Sequence, residues 1–167
     1  MGIHFANTEL SDCIAETWRV TSSFTGDVHP VVNWERADQV GAGSNYNVLN
    51  ESSGAFTFNQ TGWYWCDWWM YISGNCNSEW NEMALEYSWN NGANYESYQY
   101  TQAHLISGAT RYVAPHANHV FSVDSISGNG CRKIRFKINQ EANSDVSTGG
   151  ASDRSHTGFT IIKIADI

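Results

Sequence analysis

The chain has 167 residues, a length typical of one domain, and 41% of them are hydrophobic, which is enough for a packed core. Its net charge of -8 argues against a nucleic-acid partner, because phosphate binding requires clustered Lys and Arg. No apolar run is long enough to span a bilayer, so we expect no membrane segment.

The first residues, 1–7, contain neither the basic region nor the apolar core of a signal peptide, so we expect synthesis in a cytoplasm. The four cysteines form no CxxC pair and no Cys/His spacing typical of zinc sites; they are Cys13, Cys66, Cys76 and Cys131. Reduced thiols fit cytosolic synthesis, whereas disulfides fit an extracellular particle, and the sequence leaves both open. We expect no metal and no other cofactor.

Short β-branched or aromatic runs alternate with turn signals along the chain. They predict strands over 16–24, 31–36, 54–58, 63–73, 79–89, 95–101, 118–126, 131–138 and 157–164. The long polar stretch 139–155 is predicted to be a loop. No segment has convincing helical periodicity. The pattern predicts an all-β, two-sheet antiparallel jelly-roll sandwich of about ten strands, with an N-terminal arm over 1–15 and one domain over 16–167.

Two of the predicted strands are apolar on both faces. The faces of 63–72 carry Tyr64, Cys66, Trp68, Met70 and Ile72 on one side, and Trp63, Trp65, Trp69 and Tyr71, interrupted by Asp67, on the other. The last strand has Phe159 and Ile161 opposite Ile162 and Ile164. A two-layer sandwich covers only one face of each sheet, so a loop or another subunit must cover the second. This favours an oligomer over the alternative that some Trp residues lie at strand ends or under loops.

A third strand, 79–89, shows the alternation of a sheet with one face in the core and one in water. The predicted core face carries Met83, Leu85, Tyr87 and Trp89, and the predicted water face carries Glu82, Ala84, Glu86 and Ser88.

Residues 54–65, Gly-Ala-Phe-Thr-Phe-Asn-Gln-Thr-Gly-Trp-Tyr-Trp, resemble the G-x-F-x-x-P-x-x-G-x-Y-x-F signature of the complement globular-head and tumour-necrosis-factor-like jelly rolls, with Asn59 in place of Pro. Residues 45–50 resemble the short strand before that signature, and 155–164 resemble the closing strand. The resemblance implies a trimer whose inner sheet packs on the threefold axis. It implies interface residues on two neighbouring strands, namely Tyr64, Trp68, Phe159 and Ile161.

Heads of this kind are also similar to fibre-tip and capsid-decoration proteins of bacterial viruses. The resemblance therefore implies a non-enzymatic structural protein of the virion, a trimeric capsid decoration (cement) or fibre-head protein whose partners are its own copies and a major capsid or other virion protein. The alternative is a receptor- or glycan-binding head, secreted or fibre-borne. The chain has no Gly-x-Ser-x-Gly, phosphate-binding loop or His-Glu-x-x-His motif, so we expect no enzyme.

A basic stripe is predicted on strand 131–138, where Lys133, Arg135 and Lys137 alternate with three apolar residues. On an acidic protein this stripe would dock on an acidic neighbour such as a capsid surface. The alternative is a solvated strand face whose charges discourage edge pairing.

Aromatic residues near a predicted loop are candidate glycan contacts, because flat rings stack on sugar faces; they are Trp89, Tyr95, Tyr98 and Tyr100. Ordinary strand packing is the alternative. His116 and His119 are the nearest approach to a metal-ligand pair, but residues three apart on a strand face opposite ways unless a turn at Pro115 intervenes. A solvent-facing or hydrogen-bonded role is favoured for both.

Overall fold

A computed structural model describes residues 14–37, 47–141 and 145–167. These residues form antiparallel strands joined by turns, with one 3-10 turn at Gly128–Gly130. The strands are β1 (Ala15–Val20), β2 (Ser22–Thr25), β3 (Trp34–Arg36), β4 (Leu49–Ser52), β5 (Ala55–Phe58), β6 (Gly62–Trp69), β7 (Ile72–Gly74), β8 (Ser78–Ser88), β9 (Glu96–Leu105), β10 (Arg111–Val113), β11 (His116–Val123), β12 (Lys133–Gln140), β13 (Val146–Ala151) and β14 (Gly158–Ala165). The all-β prediction is confirmed, and the described residues contain fourteen strands, more than the expected number of about ten. Of the predicted arm, 1–15, residues 1–13 lie outside the described part of the chain.

The strands form two packed layers. The front sheet has the order β11-β6-β14-β1-β3, and the back sheet has the order β4-β5-β12-β8-β9. A side sheet, β10-β7-β13-β2, continues the front sheet lengthwise, because β10, β7 and β2 are separated from β11, β6 and β1 by only one or two residues. The predicted neighbours 63–72 and 157–164 do pair, since β6 lies beside β14 in the front sheet.

The core between the two layers is largely aromatic. Phe159 of the front sheet lies with its ring centroid 4.7 Å from Phe136 and 4.9 Å from Phe56 of the back sheet. The Trp68 indole Nε1 donates to the Met83 carbonyl across the layers at 3.1 Å. Edge-to-face ring contacts of this kind add to the gain from burial and fix how the two sheets sit on each other.

The residues predicted to form a trimer interface lie inside this core. Tyr64, Trp68, Phe159 and Ile161 are fully buried within a single chain. A second chain therefore cannot contact their side chains. The prediction placed these four side chains at an interface, whereas they pack on the back sheet, because alternation alone does not say which of two apolar faces points inward.

The signature-like residues 54–64 take up structural roles. Gly54 turns the chain between β4 and β5 with φ +81°, and a Cβ there would lie 2.4 Å from the Val31 carbonyl oxygen. Asn59, which replaces the usual Pro, donates its backbone N–H to the Val48 carbonyl at 2.9 Å. Proline has no such donor, so this departure from the signature adds a backbone hydrogen bond.

Strand β8 departs from its predicted alternation. Ala84, Glu86 and Ser88, expected in water, are buried, whereas Trp89, expected in the core, is 39% exposed. The outward side of β8 is covered by side chains of neighbouring segments, among them His29 and Arg135 at Glu86. Its Glu86 carboxylate is enclosed by charged and aromatic groups on neighbouring segments, and Trp89 lies beyond the end of the strand.

The Glu86 carboxylate is held by two partners. It accepts a hydrogen bond from Arg135 Nε at 2.6 Å, and its Oε2 lies 2.8 Å from His29 Nε2. The Arg135 guanidinium in turn lies 3.8 Å above the Tyr95 ring centroid. Burial is the largest influence and by itself raises the pKa of Glu86, but the hydrogen bonds and charges of His29 and Arg135 together outweigh it and lower that pKa.

The predicted loop over 139–155 contains strand β13. Val146 and Thr148 are buried and pair with β7, and the other edge of β13 pairs with β2. At Gly150 a Cβ would lie 2.4 Å from the Ser22 carbonyl oxygen, so the close approach of the two backbones requires a residue without a side chain. The Ser, Thr and Gly residues that make this segment look like a loop are those that allow it to pack.

A second carboxylate joins the two layers. Glu16 of β1 is buried and accepts hydrogen bonds from the backbone N–H groups of Val48 and Leu49, at 2.9 and 3.1 Å, and from Trp18 Nε1 at 3.2 Å. A buried carboxylate requires such donors to offset its loss of hydration. Glu16 therefore fixes the start of β4, at one edge of the back sheet, against β1 of the front sheet.

Replacing Phe159 by Ala should lower the free energy of unfolding by about 3–5 kcal/mol, because the ring is fully buried and its loss leaves a cavity between the sheets. Urea denaturation of the purified protein measures the change. Ile106→Ala serves as the control, since Ile106 is 67% exposed and its truncation should change stability by less than about 0.5 kcal/mol. Equal effects of the two substitutions would contradict the placement of Phe159 in the core.

The lowered pKa of Glu86 predicts a stability contribution that is complete above the ordinary value of 4.5 and is lost as the pH falls below it toward the folded-state pKa. Glu86→Gln should therefore be less stable than the wild type at neutral pH, and the difference should shrink as the solution is acidified through pH 4. Denaturant titrations at several pH values measure it. A difference that is independent of pH would show that the carboxylate charge contributes nothing.

Candidate functional site

The outward side of the front sheet carries an apolar band. We call this side the open face; it consists of the side chains that alternate with the core residues of β11, β6, β14 and β1. Val120, Trp65, Ile162 and Ala15 are consecutive partners across these four strands. Val120 is 45% exposed, and Trp63, two residues before Trp65, is 44% exposed. Trp65 and Ile162 are half-buried, so the described residues cover this band only in part.

A polar row crosses the open face next to the apolar band. Asn118, Asp67, Thr160 and Thr17 are consecutive partners one pleat further along the same strands. The hydroxyls of Thr17 and Thr160 are hydrogen-bonded at 2.9 Å, and His116 Nδ1 lies 3.7 Å from Asp67 Oδ1. The open face is therefore not uniformly apolar: it consists of an apolar band beside a polar row.

The two histidines lie on opposite sides of β11, as their spacing predicts. His116 is exposed on the open face, and His119 lies on the other side with its ring 5.1 Å from the Tyr98 ring. Within residues 14–37, 47–141 and 145–167, no group of three or more His, Cys, Asp or Glu side chains is arranged to hold a metal ion.

The predicted glycan-contacting aromatics are divided between two places. Trp89 and Tyr98 line a cavity of about 350 Å³ beside β11, where their ring centroids are 6.1 Å apart at 85°. Tyr95 lies under the Arg135 guanidinium, and Tyr100 is 57% exposed on the outward side of the back sheet, opposite Ala84. The structure therefore brings together two of the four residues.

The cavity includes residues that the sequence did not single out for this site. Trp63 and His119 contribute from the front sheet, and Asp124 and Arg132 contribute from the segment between β11 and β12. Arg132 Nε donates to Asp124 Oδ1 at 2.5 Å, and its Nη1 donates to the Trp89 carbonyl at 2.6 Å. No signal in the sequence links these residues, because they meet only where the edge strands β9 and β11 come together.

The basic stripe lies on the outward side of β12, and its alternation is confirmed, since Ile134, Phe136 and Ile138 are fully buried. Its charge is smaller than the sequence suggests. Arg135 forms an ion pair with the buried Glu86 carboxylate, so its charge is compensated within the chain. Docking through Lys133, Arg135 and Lys137 stays a prediction.

The described cysteines are free thiols. Cys66 and Cys131 are buried, Cys76 is half-buried, and Cys13 lies outside the described residues. Burial raises the pKa of the Cys66 thiol well above its ordinary value, so it stays protonated and acts as a small apolar side chain of the core. In the part of the chain that the structure describes, no helix is long and apolar enough to cross a membrane.

Comparison with known proteins gives a likeness in structure without one in sequence. No family model matches the chain, and no curated protein matches it. Among solved structures, Eiger TNF from S. frugiperda superposes with a TM-score of 0.65 at 14% identity, covering 93% of this chain and 94% of that one. Murine APRIL at pH 5.0 superposes with a TM-score of 0.60 at 13% identity, covering 92% of this chain and 100% of that one. The likeness establishes the fold: the chain is a jelly roll of the TNF-like type.

Proposed function

We propose that this chain is a non-enzymatic recognition head that assembles into a trimer through the open face. The observation that carries the proposal is the apolar band of Val120, Trp65 and Ile162, with Trp63 beside it, on an otherwise acidic chain. Soluble monomers rarely expose a contiguous apolar surface of this kind, because burying it in an interface gains the hydrophobic free energy that exposure forfeits.

The two outward surfaces of the sandwich differ in a way that supports this choice of interface. Outside the back sheet, charged residues are paired and stacked, as Arg135 is between Glu86 and Tyr95. Outside the front sheet, Trp65 and Ile162 are only half-buried by the described residues, and Trp63 is 44% exposed. Side chains of a second subunit could therefore cover the outward face of the front sheet, whereas the outward face of the back sheet needs no such cover.

The polar row next to the apolar band would restrict the relative position of two subunits in the interface. Asp67 is half-buried and has His116 at 3.7 Å, with Asn118 and Thr160 beside it on the neighbouring strands. A charge buried between subunits is tolerated only where polar groups surround it, so the row restricts how copies can be superposed on the band. The resemblance to complement globular heads and TNF-like proteins supports three copies.

We place recognition ahead of a structural role in a virion. The similar structures are of TNF and APRIL proteins and lend no support to capsid decoration, a tail fibre or a virion location. The basic stripe that was to dock on a capsid protein has its central residue, Arg135, already paired with Glu86. Addition of the protein to undecorated shells separates the roles, since a decoration protein binds them and a recognition head does not.

The trimer proposal predicts a mass near three times 18.7 kDa in multi-angle light scattering at low micromolar concentration. Ile162→Asp should release single chains, because it places an unpaired charge in the middle of the apolar band at a cost of several kcal/mol per buried ion. Circular dichroism should show an unchanged β spectrum.

The matched control is Tyr100→Asp, which adds the same charge on the outward side of the back sheet and should leave the mass unchanged. A wild-type protein that elutes as a single chain would overturn the proposal. So would an Ile162→Asp protein that keeps the mass of the wild type.

A further inference from the structure

The wall of the cavity beside β11 is held in place by hydrogen bonds within the chain. Its volume of about 350 Å³ falls at the lower end of small-molecule sites, which occupy about 300–1,000 Å³. Two segments are joined directly at its wall, since the backbone N–H of Arg132 donates to the Ser125 carbonyl at 2.9 Å. The Arg132 side chain then spans from Asp124 to the Trp89 carbonyl. The cavity wall is therefore held by three hydrogen bonds before any ligand arrives.

Two aromatic rings of this cavity, those of Trp89 and Tyr98, are nearly perpendicular to each other. Trp89 is 39% exposed and stands at 85° to Tyr98, which is 44% exposed. Tyr98 is fixed from behind by the Tyr87 ring at 5.4 Å and by the His119 ring at 5.1 Å. Two rings of large exposed area are thus locked at nearly a right angle, so a ligand that stacks on them loses little free energy to side-chain ordering.

The polar groups at the rim are oriented in advance. The ion pair with Arg132 lowers the pKa of Asp124, which is therefore a carboxylate at neutral pH. Its side chain is 54% exposed, so a ligand can reach it. Arg132 offers a fixed guanidinium beside it, and Ser122 adds a hydroxyl. Donors and an acceptor stand next to aromatic rings, the combination that recognises a molecule with one apolar face and a perimeter of hydroxyls.

This chemistry selects among ligand classes. An anionic ligand such as a nucleotide is disfavoured, because Asp124 neutralises Arg132 and the chain carries a net charge of -8. A purely apolar ligand would remove water from the Arg132–Asp124 ion pair and offer it no hydrogen bond in exchange, at a cost in free energy. A pyranose satisfies both requirements: its C–H face packs on a ring whose π-face is negative, and its hydroxyls pair with the carboxylate and the guanidinium.

We propose that this cavity binds a neutral carbohydrate, one or two pyranose units at the end of a glycan, between Trp89 and Tyr98, with Asp124 and Arg132 hydrogen-bonding to its hydroxyls. All four residues belong to one chain, so the site is complete without a second copy. Trp63 and Val120 are shared with the open face and are therefore left unchanged in the tests.

The experiment screens the full chain by saturation-transfer difference NMR against methyl glycosides of glucose, galactose, mannose, N-acetylglucosamine and fucose, and against their common disaccharides. Calorimetry then measures the affinity of the best sugar. Trp89→Ala and Tyr98→Ala should each weaken binding by at least about tenfold. Asp124→Ala should weaken it as well. The matched control is Tyr100→Ala, which should bind as the wild type does. Tyr100 is exposed and lies on the other side of the back sheet from Tyr98, because the register of β9 shifts at Tyr98.

The Ile162→Asp chain is screened with the same sugars, so that failure of the trimer and failure of the sugar site are seen separately. Tyr98→Ala provides a second test should Trp89→Ala fail to fold. Three results would overturn the proposal: no sugar is bound by the wild type, the cavity variants bind as tightly as the wild type, or the variants lose the native mass in light scattering. The last result would assign the cavity to contacts between subunits.

Discussion

Strand β6 places aromatic side chains on both of its faces, and the rest of the structure follows from how each face is covered. One face, with Tyr64 and Trp68, is covered by the back sheet, and the indole of Trp68 donates to the Met83 carbonyl across the core. The other face, with Trp63 and Trp65, is only partly covered by the described residues, since Trp65 is half-buried and Trp63 is 44% exposed. A strand that is apolar on both sides needs two covering layers, and the sandwich supplies one.

The back sheet meets the same requirement in a different way. Its strand β8 is also buried on both sides, but its outward side carries Ala84, Glu86 and Ser88 rather than large rings. Small residues need little cover, and the one carboxylate is enclosed by His29 and Arg135. This side of the back sheet is covered by residues of its own chain, which is why we propose assembly through the front sheet and not through the back sheet.

The proposed sugar site and the open face meet at the edge strand β11 and share Val120. Val120 faces outward, whereas His119 lies behind Tyr98 in the cavity wall. The period of two along a strand lets one strand serve both an assembly surface and a binding cavity. In the proposed head, a bound ligand would therefore hold a fixed position relative to the subunit contacts.

Much of the fold could be predicted from the sequence where alternation is strong. Each of the nine predicted runs overlaps a strand, although β1 and β2, and likewise β6 and β7, had been predicted as single strands. Strands β10 and β13 were missed, and β4 was anticipated only through the resemblance. These segments are short or rich in Gly, Ser and Thr, and they become strands because neighbours such as β7 and β2 offer backbone partners. Local residue preference carries no information about such partners.

By itself, the sequence determined the fold class, the doubly apolar character of β6 and β14, and the alternation of basic and apolar residues on β12. Only the tertiary structure decided which face of β6 points inward, that Arg135 is paired with Glu86, and that Trp89 and Tyr98 meet Asp124 and Arg132. The physical reason is the same in each case. Alternation fixes which side chains share a face, but burial, ion pairing and cavity formation depend on contacts between segments far apart in the chain, and those exist only once the two sheets have packed.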